Sequence, residues 1–515
     1  MRALTMLCLA GAVGLTTAAA QYAYSQSPYV PAAQFCANGT SAPCAIIPAY
    51  IGPDPSLGNK VGYRGIIGQL PTSSAGDSQT PFDNMSWQSF VGLNWIAGTE
   101  SAPVATGLSA AGVRVWQTWA KVNRVFGNSP VQASCANPSG LPVISIGSDG
   151  KGNPSQKNDD YYQASTDVPL IDINGNWTLY ERRLNVTEIA YLAAPDGNLL
   201  NTLLTVAGQT NFVAAGNSVA FTASSTDPQG ARGSMELKIA WRVLGATDDA
   251  SRYITQNVLL AVASDLVSNT QPICANVTVG MVGMHIIQRN PDYATNKNLL
   301  PEWIWSTFEH VDNAPLAPAA CDPTAPVGCA NLNQPSCGAA PSAAAASYFV
   351  PSTSATTNVP PTPSSTLPNF VWNPVQPYAK GYAQPVSVGA HTLYSGPQVV
   401  RCWQIYSLTV ALNAQWQATL AGSPLANYQL VGTQWGAGLE TRLSPYPADA
   451  VPGLLSNATL ETYIQNNTQP TASGGVGSCI GCHRGATLVD NTTPSDFSFL
   501  PSLATPTPTR FQFAR

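Results

Sequence analysis

The residues best suited to chemistry lie near the C-terminus, in the segment GGVGSCIGCHRGATLVD. Cys479, Cys482 and His483 form a Cys-x-x-Cys-His pattern in a chain that has only four histidines. Two thiols at this spacing add to the two vinyl groups of a haem, and the adjacent histidine is then held beneath the iron as its proximal ligand. The pattern therefore predicts one covalently attached haem c per chain, bound through these three residues.

The sixth iron ligand is left open by the sequence. Residues 484–515 contain no His, Met, Cys or Lys, so a distal ligand would come from upstream or the position would stay vacant. The upstream candidates are Met85, Met235, Met281, Met284, His285, His310 and His391. His285, in GMVGMHII, and His310, in WIWSTFEHVDN, are the favoured histidines, and the aromatic residues before His310 could wall a porphyrin. A histidine in a fold is more often a structural residue than a ligand, and Met281 and Met284 are further candidates.

Four segments resemble parts of a known family. SCIGCHRGA and DFSFL near the C-terminus, together with WQSFVGLNW and PEWIWSTFEHVDNAP, are similar to segments of large bacterial exported monohaem c-type cytochrome family proteins that carry the haem motif at the C-terminus. The resemblance implies a haem cofactor and an exported location, but no particular reaction. The chain departs from small soluble cytochromes c, which place an axial methionine downstream of the motif.

The N-terminus predicts export. Residues 1–20 combine one Arg, an apolar run and the small residues Ala18, Ala19 and Ala20, which is typical of a cleaved signal peptide. The apolar run is too short to favour a transmembrane anchor, so we expect a periplasmic or secreted protein. Charged residues make up 10 % of the chain, the net charge is −5 and no basic run occurs, which argues against a nucleic-acid partner.

The cysteine count agrees with an oxidising compartment. Apart from Cys8 in the predicted signal and the two motif cysteines, eight remain, an even number that predicts disulfides. Cys36 and Cys44 flank a short polar loop and are the expected local pair. Zinc binding by the cysteines at 321, 329 and 337 is disfavoured, because the spacing is wide and no histidine is near. The eight are Cys36, Cys44, Cys135, Cys274, Cys321, Cys329, Cys337 and Cys402.

Periodicity predicts the elements that must position the motif. Apolar residues recur at helical spacing in 82–95, 112–127 and 402–422, and more briefly in 457–467. Residues 234–310 read as strands with short connections, beginning with the strictly alternating SMELKIAWRV, and favour antiparallel pairing. A hairpin turn is expected at Asn174 and Gly175.

These elements predict an α+β fold, with a mainly antiparallel β body, packed amphipathic helices and a small helical C-terminal haem c region. The expected organisation is a signal peptide at 1–20, an irregular disulfide-tied segment at 21–80 and an α+β body at 81–312. A Pro-, Ser-, Thr- and Ala-rich loop or linker follows at 313–398, and the helical haem c region occupies 399–515.

Three functions remain open from the sequence, the last of them a non-catalytic binding protein that the haem merely stabilises. The first is an exported monohaem c-type cytochrome that moves single electrons to or from a redox partner protein or a small-molecule donor or acceptor. The second is a haem-dependent oxidoreductase or peroxidase-like enzyme that uses the large body to bind substrate. The second is favoured by length, because the chain has 515 residues and the haem motif occupies a small part of them.

Overall fold

The computed structural model describes the central body and most of the C-terminal region. The predicted signal peptide, Cys329, Cys337 and most of 21–80 and 313–398 lie outside the described residues. The described residues are 36, 42–49, 76–108, 111–127, 135–147, 159–164, 169–223, 233–266, 271–290, 303–321, 345–350, 357–358, 371–372, 379–380, 386–388, 391–393, 399–435, 452–466, 470–471, 474–475 and 477–506.

The fold is α+β, as predicted, with a mixed but mostly antiparallel sheet. The helices are α1 Gly76–Asn94, α2 Val104–Gly107, α3 Val122–Val125, α4 Val186–Ala193, α5 Val206–Ala214, α6 Ser407–Thr419 and α7 Cys479–His483. The strands of the main sheet are β1 Ala120–Lys121, β2 Val143–Ile146, β3 Leu179–Leu184, β4 Met235–Val243, β5 Thr255–Val262, β6 Ile273–Arg289 and β7 Trp303–His310, joined later by β14 Tyr428–Trp435. The shorter strands are β8 Leu316–Cys321, β9 Val371–Trp372, β10 Ala379–Lys380, β11 Val386–Val388, β12 His391–Leu393, β13 Arg401–Trp403, β15 Pro470–Thr471 and β16 Gly474–Gly475.

The long strand β6 organises the sheet. One of its edges pairs with β4, which continues through β3 to β1. The other edge pairs with β5 along residues 273–280 and with β7 along residues 283–289, and β14 then adds to β7. All these pairings are antiparallel, whereas β2 adds to β5 in parallel. The sheet therefore forks at β6, and the C-terminal region contributes one of its strands.

One face of the sheet is covered by α1 and α6, and aromatic side chains form that core. Trp87 of α1 stacks on Trp416 of α6, with ring centroids 5.7 Å apart, and Phe90 stacks on Phe308 of β7 at 4.2 Å. Each tryptophan donates its indole N–H to an asparagine of the opposite helix, Trp87 to Asn413 at 2.8 Å and Trp416 to Asn84 at 2.9 Å. These aromatic residues are core, as their helical spacing indicated.

Two predicted helices differ from the structure. Residues 112–127 form a 3-10 turn at Val115–Thr118, the short strand β1 and the single turn α3. Arg114 precedes the 3-10 turn in an extended conformation, and its buried guanidinium donates to the backbone oxygen of Asn94, which ties the segment to the end of α1. The segment 399–515 is only partly helical, because β14 is drawn into the sheet by its antiparallel ladder with β7, and 457–467 contains only the 3-10 turn Thr462–Asn466.

Two disulfides lie in the described residues, Cys36–Cys44 and Cys135–Cys274. The first is the predicted local pair, and the second ties the segment before β2 to β6. The turn at Asn174 and Gly175 also forms as predicted, with Gly175 at a φ of 75°. None of the helices in the described part of the chain is long and apolar enough to cross a membrane.

We expect Phe308→Ala to lower the free energy of unfolding by about 3–5 kcal/mol, because a fully buried ring is removed from an aromatic core that cannot collapse around the gap. Val410→Ala on α6 is the control. Val410 is 50 % exposed, so its truncation should cost about 0.5 kcal/mol or less. Urea unfolding followed by circular dichroism measures both, and equal costs for the two variants would contradict this description of the core.

Candidate haem site

The other face of the sheet and the C-terminal segment enclose a cavity of about 730 Å³, called here the motif cavity because it is lined by the predicted haem motif. Its sheet wall includes Leu184, Glu236, Lys238, His285, Ile287 and Trp305. Its C-terminal wall includes Ile464, Cys479, Cys482, His483, Phe499 and Leu500. The volume lies within the range of about 300–1,000 Å³ that is usual for small-molecule and cofactor sites.

The start of the motif helix α7 is fixed by a residue of the sheet. Gln434 on β14 accepts hydrogen bonds through Oε1 from the Ser478 hydroxyl at 3.1 Å and from the Ile480 backbone N–H at 2.8 Å. Ser478 caps the helix, because its Oγ accepts from the Gly481 N–H at 3.1 Å. Before the cap, Gly477 has a φ of 89° and lies against the ring of Trp403. The glycine is needed for this close approach to a tryptophan.

Cys479 and Cys482 line the motif cavity and form no disulfide. Burial raises the pKa of the Cys479 thiol, so it stays protonated at neutral pH. A protonated thiol with no disulfide partner is unlike the low-pKa cysteine of a thiol–disulfide enzyme. The pair is placed side by side on one helical turn, both facing a cavity, which is the arrangement that attachment to one ligand requires.

The ring of His483 is oriented by a backbone carbonyl. Its Nδ1 lies 2.7 Å from the Phe497 oxygen, and because a carbonyl can only accept, Nδ1 carries the hydrogen. Burial lowers the pKa of His483 to about 4, so the ring is neutral at neutral pH and Nε2 carries the lone pair. Trp305 and Phe499 flank the ring, with centroids at 6.3 and 5.2 Å. Histidines that bind metals are commonly held in this way by a carbonyl on the other nitrogen.

The segment DFSFL supplies that carbonyl through an unusual backbone. Asp496 and Phe497 have φ values of 53° and 68°, a conformation that costs energy for residues with a side chain. Asp496 is held in place by Arg289, whose guanidinium lies 3.3 Å from Oδ1, and by the Phe221 N–H, 2.6 Å from Oδ2. The sequence indicates no role for DFSFL, because a carbonyl that acts through backbone geometry leaves no side-chain signal in a single chain.

His285 faces the motif cavity from β6, opposite Lys238 of β4 in the strand register. Its Nε2 lies 2.6 Å from Oε1 of Glu461, so Nε2 donates, and in the neutral ring the lone pair is on Nδ1. Met281 and Met284 are fully buried in the core on the other side of the sheet. Of the upstream candidates whose side chains the structure describes, His285 is thus the one that lines the motif cavity.

His310 is in a different place. It ends β7, but side chains alternate along a strand, so it lies on the face opposite Trp305. Its ring stacks on Tyr253 at 4.1 Å, its Nδ1 accepts from the Asp312 N–H at 3.2 Å and its Nε2 donates to the Arg252 oxygen at 3.0 Å. Both ring nitrogens are occupied and the ring is outside the motif cavity. The geometry therefore favours His285 over His310 as the distal residue.

These residues fit a covalently bound haem. One wall offers two cysteines outside any disulfide and a neutral histidine whose Nε2 carries the lone pair, and both walls offer apolar side chains. Of the aromatic residues expected to wall a porphyrin, Trp305 lines the cavity while Phe308 packs into the opposite core. No group of three or more His, Cys, Asp or Glu side chains that could hold a metal ion occurs within the described ranges.

Comparison with known proteins returns no match, whether to a family model, a curated protein or a solved structure.

We expect Gly477→Ala to lower the free energy of unfolding by more than the left-handed backbone conformation alone would cost. A Cβ there would lie 2.3 Å from the Trp403 ring, and φ is left-handed. Gly422→Ala is the matched control: its φ is 85°, but its Cβ would meet no atom within 4 Å. The control should cost about 1–2 kcal/mol of unfolding free energy, and Gly477→Ala clearly more. Equal losses in thermal or urea unfolding would show that the contact with Trp403 does not matter.

Proposed function

We propose that this protein is an exported monohaem c-type cytochrome that transfers single electrons. Haem c is bound through Cys479 and Cys482, and His483 lies beneath the iron. The observation that carries the proposal is the geometry of His483: its Nδ1 hydrogen is given to the Phe497 carbonyl at 2.7 Å, which leaves the Nε2 lone pair for a metal, beside two cysteines that form no disulfide.

The attachment chemistry needs no residue beyond those present. Each cysteine S–H adds across one vinyl double bond, with the sulfur forming a thioether and the hydrogen going to the other vinyl carbon, so no oxidant is consumed. When bound, the haem supplies an iron that accepts and releases one electron. The chain's own residues then hold the proximal ring in one tautomer and, through Leu184, Ile287 and Leu500, keep water from the porphyrin.

Electron exchange requires a short path between the haem and the surface. Phe499 lines the motif cavity, lies 5.2 Å from the His483 ring and is 41 % exposed. This part of the cavity wall therefore reaches solvent, where a redox partner protein or a small-molecule donor or acceptor could approach. The disulfides Cys36–Cys44 and Cys135–Cys274 agree with folding in an oxidising compartment, and with export by the predicted signal at 1–20.

The test of haem attachment is retention after denaturation. In a host with the c-type maturation machinery, acid–acetone extraction of wild-type protein should leave one haem per chain, measured as a pyridine haemochrome. Cys479→Ala with Cys482→Ala should lose the haem on extraction. His483→Ala, which keeps both thiols, separates attachment from ligation by its altered iron spectrum. Complete extraction of haem from the wild type would refute the proposal.

One observation favours a second candidate, a haem-dependent oxidoreductase of peroxidase type. His285 and Glu461 form a hydrogen-bonded pair on the wall of the motif cavity, where they could move a proton to or from a bound substrate. The same histidine would serve an electron carrier differently, as the distal iron ligand. The iron's coordination distinguishes the two functions.

For the electron carrier we expect low-spin ferric iron that becomes high-spin in His285→Ala and stays low-spin in the control His310→Gln, because His310 lies outside the cavity. Absorption and electron paramagnetic resonance spectra report the spin state. High-spin iron in the wild type, with peroxide turnover that falls about 10²–10⁴-fold in His285→Ala, would favour the enzyme instead.

A further inference from the structure

Two glutamates meet in the interior beside the motif cavity. Glu188 on α4 is fully buried, while Glu236 on β4 is 8 % exposed and lines the cavity. The cap of α4 brings them together, because the Asn185 side chain accepts from the Glu188 N–H at 3.0 Å and from the Met235 N–H at 3.1 Å. The first turn of α4 is thus tied to the start of β4, and the two carboxyl groups interact directly.

The facing carboxyl groups lack hydrogen-bond donors. Within the described part of the chain, no group donates to either oxygen of Glu188 or to Oε1 of Glu236. Two ionised carboxyl groups offer only acceptors, so they repel each other and leave buried oxygens unpaired. A proton between them replaces that repulsion with a hydrogen bond. Burial, and next the neighbouring Glu236, raise the pKa of Glu188, and burial raises the pKa of Glu236. The arrangement therefore favours a pair that shares a proton.

One cation and one further acid act on the pair. Arg182 of β3 favours the ionised form of Glu236, but burial outweighs it. Asp496 of the C-terminal segment disfavours ionisation of Glu188 and is itself paired with Arg289 of β6, at 3.3 Å. The other titratable side chains of the cavity wall, apart from the motif itself, are Arg183, Lys238, His285 and Glu461.

Glu236 is connected to the segment that orients His483. The Ser498 side chain makes a hydrogen bond with Glu236, and Ser498 directly follows Phe497, whose carbonyl holds the Nδ1 hydrogen of His483. Glu236 and His483 also line the same cavity. Charges in a protein interior are screened less than charges in water, so a charge on the pair acts on a group bound in this cavity.

We propose that Glu188 and Glu236 take up a proton when the haem in the motif cavity is reduced, so that this protein couples electron transfer to proton transfer. The inference rests on the proposed haem c and adds the residues that bind the proton. One electron from the donor goes to the iron, and one proton from water forms an O–H bond on the ionised carboxylate of the pair. Reoxidation releases both.

The coupling has a simple electrostatic cause. Ferric haem carries one more positive charge than ferrous haem, so it favours the ionised pair more. By linkage, protonation of the pair favours the ferrous state to the same extent. The reduction potential should therefore fall as the pH rises and the pair loses its proton.

The experiment compares wild type with Glu188→Gln, Glu236→Gln and the double variant. Glutamine keeps the size of the side chain and cannot take up the proton. Glu100→Gln is the matched control, because Glu100 is an exposed glutamate outside the cavity. Spectroelectrochemistry gives the reduction potential at each pH, and redox difference infrared spectra report the C=O band of a protonated carboxyl group.

We expect a potential that falls with pH in the wild type and in Glu100→Gln, and a carboxyl C=O band that grows on reduction. Each single variant should lose part of the pH dependence, and the double variant should lose both signals. A potential that does not change with pH in the wild type would overturn the inference. So would an equal pH dependence in the wild type and the test variants, because another group would then take the proton.

Urea unfolding of the same proteins tests the shared proton without using the haem. Since the pKa values of the pair are raised in the folded chain, this chain binds more protons than the unfolded one, and stability falls as the pH rises above the ordinary pKa of a glutamate. The single and double variants should lose less stability over that range. Equal losses would overturn the shared proton. Loss of haem from denatured wild type would instead refute the proposed function.

Discussion

The antiparallel ladder between β7 and β14 is the interaction on which the site depends. It sets Trp305 directly opposite Gln434, and partners in a ladder project to the same face of the sheet. Gln434 holds the start of α7 through two hydrogen bonds, while Trp305 packs beside the ring of His483. This cross-strand pair thus positions the motif Cys479–His483, which is distant in sequence from β7. Without the ladder, the cysteines and the histidine would have no wall to face.

The two faces of the sheet differ in character, one apolar and one partly charged, because different elements cover them. On one face, α1 and α6 bury aromatic rings in an apolar core. Asparagine side chains accept hydrogen bonds from the indole N–H groups of Trp87 and Trp416. The other face carries charged residues at the motif cavity, beside an apolar cluster that includes Leu184, Ile287 and Leu500. Buried charge is costly without a partner. The charged part of this face is therefore the part that would gain from a bound group.

Three histidines differ in their hydrogen-bond partners, and these partners decide what each ring can do. His483 gives its hydrogen to a carbonyl and keeps a lone pair on Nε2. His285 gives its hydrogen to a carboxylate at the cavity wall, which suits proton transfer or distal ligation. His310 uses both nitrogens on backbone groups and is a structural residue. The neighbouring acceptor decides the tautomer, and the tautomer decides whether a metal can bind.

The sequence by itself predicted the chemistry that we propose for Cys479, Cys482 and His483, because that pattern is local and its spacing follows from one helical turn. It also determined the strands β4 to β7 and the helices α1 and α6, where periodicity is long and regular, and the local disulfide Cys36–Cys44. Only the tertiary structure decided that His285 and not His310 faces the cavity, since this depends on which face of each strand is covered. It alone decided the role of Phe497, whose carbonyl acts through backbone geometry, and the contact between Glu188 and Glu236, which the cap of α4 brings together. Contacts between distant segments have no periodic signature along the chain, and this is why the site's walls were not readable from it.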